Sequence, residues 1–84
     1  NPFNPTTTIK YLIPKNVDSN FSPSTSTLKV YDVQGKEITT LVNKIQKPGN
    51  YKVNFDGSNL TSGIYYYQLK SSYFSETKKM ILLK

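Results

Sequence analysis

Apolar and aromatic residues recur at every second position in short runs, and helical periodicity is nearly absent. Thr7, Ile9, Tyr11 and Ile13 alternate with Thr8 and Lys10, so the two sets fall on opposite sides of an extended chain. "YKVNF" is the sharpest case, with Tyr51, Val53 and Phe55 expected inward and Lys52 and Asn54 outward. "TLKVYDV" sets Leu28 and Val30 on one face. "IYYYQLK" sets Tyr65, Tyr67 and Leu69 toward a core and leaves chiefly Tyr66 exposed. Turn chemistry bounds each run. Pro14 ends the first, and "VQGKE" carries Gly35, which is free to take a positive φ. "KPGN" reads as a type II turn with Gly49 in the left-handed position. Asp56-Gly57, "TSG" and Ser71-Ser72 punctuate the rest. This pattern predicts an all-β fold, an immunoglobulin-like antiparallel β-sandwich of about seven strands.

Five stretches are less regular. The opening "NPFNP" reads as residues 1–5 of a linker from an upstream segment, with sheet pairing starting only after Pro5, because proline has no N–H for a ladder. The domain proper is expected over 6–84. Lys15 to Thr27, "KNVDSNFSPSTST", has loop composition and is expected to be the most mobile part, with Phe21 tucked against the body. In "EITTLVN", Leu41 and Val42 point to opposite faces. "LTSGIYY" resembles a corner in which a tyrosine hydroxyl bonds back to upstream backbone. A fibronectin-type spacing places that tyrosine at Tyr66, whereas alternation turns Tyr65 inward. The last run, "YFSETKKMILLK", is apolar on both faces at its end, and so needs cover on both sides or a partner.

Composition narrows the function. The chain has 84 residues and one methionine, Met80, with no histidine and no cysteine, so disulfides, thiolate metal sites and the commonest general base are all missing. The acids Asp18, Asp32, Glu37, Asp56 and Glu76 form no neighbouring pair on a strand face, and no serine sits in a nucleophile elbow. Catalysis is not expected, nor is a cofactor. Asp32 and Glu37 bracket Gly35 loosely as a calcium loop does, but two oxygen donors are too few, and Asp32 is expected to bond its own turn backbone. The net charge is +6 and all 11 basic residues are lysine, spread along the strands. Without arginine forks this reads as a solvated sheet face, and no nucleic-acid partner is expected. A tyrosine platform for sugar would need several exposed rings, and alternation leaves chiefly Tyr66. No apolar run is long enough to span a membrane, so no direct membrane insertion is expected.

"NPFNPTT", "LKVYDVQGKEI", "LTSGIYYYQL" and the closing "KKMILLK", in this order, together resemble the type A C-terminal sorting domain of the type IX secretion system. The resemblance spans essentially the whole chain and implies the same immunoglobulin-like sandwich. It further implies a non-catalytic secretion signal, attached through the periplasm to an exported cargo. Outer-membrane shuttle and translocon proteins would recognise it, and a sortase-like protease would then remove it at the surface. By position, Gly63 and Tyr65 match the family's Gly-x-Tyr, and Lys79, Met80, Ile81, Leu82, Leu83 and Lys84 its closing basic-apolar segment, so these are the expected partner-binding residues. Two departures stand out. Lys36 replaces the usual arginine after the turn glycine, which keeps charge without the planar fork. The Lys15–Thr27 stretch is longer than the family's first loop. The alternatives are a passive immunoglobulin- or fibronectin-like spacer, a carbohydrate or adhesion module of a larger secreted enzyme, and a flagellar hook-capping-type domain.

Overall fold

The structure is a computed structural model that describes residues 2–3, 5–15, 23–72 and 74–83. Six strands of eight to ten residues and one of two build two sheets: β1 (Pro2–Phe3), β2 (Thr6–Ile13), β3 (Ser24–Tyr31), β4 (Glu37–Gln46), β5 (Gly49–Asp56), β6 (Gly63–Ser71) and β7 (Phe74–Leu82). The larger sheet has the order β1-β7-β6-β3-β4 and the smaller is the ribbon β2-β5. All pairs are antiparallel except β1 with β7. The connectivity is that of an immunoglobulin-like sandwich, as the strand count and turn spacing predict.

Between the sheets lie Ile9, Tyr11 and Ile13 from β2 and Phe55 from β5. They meet Leu28, Val30, Val42, Tyr65, Leu69, Met80 and Leu82 from the larger sheet. Alternation holds along "YKVNF", with Lys52 and Asn54 exposed. Of its inward set only Phe55 is fully buried, while Tyr51 and Val53 are half-buried. The cause is width: among the described residues the ribbon has no third strand to shield its flanks. Tyr67 is likewise half-buried against the core, and Tyr66, on the outer face, is half-buried too.

Several expectations need correction. Pairing begins before Pro5, since Pro2 and Phe3 lie parallel to Ile81 and Leu82. A proline lacks only the donor, and β1 is an edge strand, where a missing N–H is tolerated. The Pro5 carbonyl is also used, accepting from Gly57 N–H at 2.8 Å. The polar stretch to Thr27 is not all loop, because β3 starts at Ser24 and Ser26 is fully buried. Ser-Thr alternation hides a strand whose inward position happens to be small. Residues 16–22, with Asp18 and Phe21, lie outside the described residues.

Leu41 and Val42 both serve the core. The β3–β4 register slips between Leu28/Lys29 and Val30/Tyr31, so Leu41 and Ile38 are extra residues at two bulges, and both pack on the core. Gly49 has φ +151°, positive and so suited to glycine, but far from the value of about +80° that a type II turn needs, and Lys47–Pro48 carries the chain from one sheet to the other. Tyr51 Oη closes that crossing by donating to the Lys47 carbonyl at 2.6 Å. Gly35 has the positive φ expected, +84°.

The tyrosine corner is made by Tyr65. Its hydroxyl donates to the Thr61 carbonyl at 2.8 Å, tying the start of β6 to the loop before it. At the opposite end Tyr11 Oη donates to the buried Gln46 Oε1 at 3.2 Å. Among the described residues the Ser26 hydroxyl has no partner.

Three stability predictions follow from this packing. Phe55→Ala should cost about 3–4 kcal/mol in urea melts, Val53→Ala about 1 and Lys52→Ala under about 0.5, since only the first empties a sealed site. Equal losses would overturn the register. Tyr65→Phe should cost about 1 kcal/mol by orphaning the Thr61 carbonyl, and an unchanged midpoint would show the corner bond to be idle. Ser26→Ala should be neutral or stabilising by up to about 1 kcal/mol, because alanine removes an unbonded buried hydroxyl. A clear loss would show that the hydroxyl has a partner.

Candidate functional site

The residues singled out from sequence come together on one hairpin. In the β6–β7 register Gly63 faces Leu82, Ile64 faces Ile81, Tyr65 faces Met80 and Tyr66 faces Lys79. The Gly-x-Tyr motif and the closing apolar segment are therefore neighbours across a ladder rather than two separate signals. Gly63 has φ +153°, in the region L side chains rarely adopt, and a Cβ built there meets nothing within 4 Å. Backbone conformation, not crowding, calls for glycine at this position.

Strand period divides the cluster between two faces. Tyr65, Met80 and Leu82 point inward and are 6%, 5% and 0% exposed, so they are core residues first. Lys79 and Ile81 point outward beside Ile64 and Tyr66; Leu83, just past the strand, and Ile64 are 51% and 39% exposed. Lys84 lies outside the described residues. The surface on offer is thus an apolar strip with a lysine at its side, made by alternate residues of two strands. Ile64 and Tyr66 belong to it although neither is among the expected partner-binding residues; the alternation of "GIYYYQL" carries that signal once the strand pairing is known.

β1 occupies the flank of the closing segment, pairing with Ile81 and Leu82. At that point the outer edge of β7 is already taken, and what remains available is side chains. The same outer face continues into a shallow hollow walled by Tyr31, Val33, Tyr66 and Thr77.

No reaction centre assembles among the described residues. Asp32 Oδ1 accepts from Gln34 N–H and Lys36 N–H, both at 2.9 Å, and its backbone pairs with Lys36 and Gly35 at 3.0 Å, which is the turn arrangement expected of it. Glu37 turns away from Asp32: Oε1 pairs with Lys29 Nζ at 3.3 Å and Oε2 accepts from Thr40 Oγ1 at 3.2 Å. Among the described residues no three acids gather in a way that could hold a metal ion. Nor is any helix there long and apolar enough to cross a membrane.

A second feature was not foreseen. An open groove of about 750 Å³ lies between the β2–β5 ribbon and the first half of β7. It exists because the ribbon is too narrow: Phe74, Glu76 and Lys78 share a face with the buried Met80 and Leu82, yet Phe74 is half-buried and the other two are exposed.

The chain matches the family described as "Secretion system C-terminal sorting domain" over residues 1–83. No curated protein and no solved structure matches it. The match spans both the opening "NPFNP" and the closing apolar segment, the two stretches that pair as β1 and β7. The chain belongs to the secretion system C-terminal sorting domain family, the sorting domains of type IX export toward the cell surface and the extracellular space.

Proposed function

We propose that the domain acts as a non-catalytic address label, read by an outer-membrane shuttle of the type IX machinery through the outward face of the β6–β7 end. Residues 1–5 join it to the cargo, and a sortase-like protease then cuts it away. The observation that carries this reading is the split of the closing strand. Met80 and Leu82 hold the fold together, while Leu83 and the neighbouring Ile64 are exposed and Ile81 is half-buried on the outer face. An exposed apolar strip on a chain of net charge +6 is the kind of feature that marks an interaction surface. Side-chain recognition suits this end better than strand addition, because β1 already pairs with Ile81 and Leu82.

The decisive experiment separates recognition from folding by face. A folded reporter with its own signal peptide is fused ahead of Asn1 and expressed in a type IX-competent cell. The intact fusion should reach the surface. Ile81→Asp combined with Leu83→Asp should leave it in the periplasm while circular dichroism and protease resistance stay as in the parent. Leu82→Ala should lose export together with the fold, since it empties a sealed site at about 2–5 kcal/mol. Surface delivery of the folded Ile81→Asp/Leu83→Asp fusion would refute outward-face recognition. Retention of the intact fusion in cells that export their own cargo would favour the passive spacer.

A further inference from the structure

We propose that the groove between the β2–β5 ribbon and β7 is a docking site for an extended, acidic segment of a partner protein. Nothing in this depends on how the closing strand is read. The groove wraps over the ribbon, so Tyr11 and Tyr51 from its inner face and Lys10, Leu12 and Lys52 from its outer face all wall it. The two tyrosine rings are stacked with centroids 5.5 Å apart and planes 19° apart, which gives a firm apolar wall opposite Phe74.

Charge identifies the occupant. Lys10, Lys52 and Lys78 line the groove against a single carboxylate, Glu76, and among the described residues none of the three lysines has an acid within 4 Å. Lys10 and Lys52 sit directly opposite each other in the β2–β5 register. Like charges in that relation destabilise a strand pair, and no acid among the described residues offsets this one. A local rule broken without structural compensation points to a function, here the binding of an anion.

The backbone narrows the choice to a peptide. Among the described residues β2 and β5 pair only with each other, so along the groove, at Lys10–Leu12 and Asn50–Lys52, the backbone groups that face away from the pair have no ladder partner there. An extended segment with alternating acidic and apolar residues meets all three features: backbone to backbone, carboxylate to lysine, apolar side chain to Phe74, Leu12 and the tyrosines. An anionic polysaccharide would use the lysines but set its hydroxyls against Leu12 and Phe74. A second copy of this chain would bring a charge of +6 toward +6.

Binding of a short fluorescent peptide alternating valine with aspartate and glutamate, followed by anisotropy, tests this. It should bind and weaken with salt, whereas its asparagine and glutamine counterpart should not bind. Lys10→Glu should hold or raise the melting midpoint by turning the like pair into an opposite one. Combined with Lys78→Glu, it should weaken binding roughly tenfold. Lys70→Glu, on the outer face of β6, should leave binding unchanged. Any of four results overturns the proposal: no binding of the acidic peptide, equal binding of the neutral one, insensitivity to Lys10→Glu/Lys78→Glu, or stronger binding of polygalacturonate than of the peptide. A fifth result, self-association in sedimentation that competes with peptide binding, would assign the groove to a second copy.

Discussion

A ribbon of two strands has to cover one face of a sheet of five, and most of the molecule's character comes from that packing. Ile9, Ile13 and Phe55 supply the ribbon's sealed contribution, and they reach Leu28, Val30, Leu69, Met80 and Leu82 on the other side. Each such side chain is worth about 1.5–3 kcal/mol when sealed from water, so a handful of contacts carries the fold. What the ribbon cannot reach stays wet. Val53 and Tyr51 are half-buried for this reason, and on the inner face of β7 Phe74 is half-buried while Glu76 and Lys78 are exposed. The bulges in β4 work the other way, turning Ile38 and Leu41 toward a core that a regular strand would have denied them.

Period 2 divides the closing strand between two faces. Residues 80 and 82 face the ribbon, while 79 and 81 face outward beside Ile64 and Tyr66. A partner arriving at this end therefore meets only half of the apolar segment that the sequence displays. The other half, with Tyr65 bonded to the Thr61 carbonyl, sets the rigid base from which the outward residues project. Family membership places the domain in type IX export, and under the recognition proposed above this division would let one short segment serve both stability and binding.

Much of this was legible in the residues themselves. The alternations Ile9-Tyr11-Ile13, Leu28-Val30 and Tyr65-Leu69 gave strands and faces directly, because a sandwich core selects for period 2. The start of β3 was hidden because Ser24, Thr25, Ser26 and Thr27 carry loop composition, and the pressure to be small at Ser26 comes from across the core. Proline at position 2 argued against pairing, yet an edge asks only for a carbonyl. Gly49 looked like a turn because nothing local says that β4 and β5 belong to different sheets. The candidate site followed the same rule. Its members were readable as motifs, but their division into core and surface, and the groove with its opposed lysines, depend on long-range register.

The parallel pairing of β1 with β7 also has a mechanical meaning. Pro2–Phe3 and Ile81–Leu82 run in the same direction side by side. A pull on the backbone before Pro2, opposed by a pull beyond Leu82, drags the two strands past each other along their length. Their hydrogen bonds are then loaded together in shear instead of being peeled one after another. Tension along the polypeptide thus falls first on the contact between β1 and β7, and the ribbon and core behind it are spared until that clasp slips.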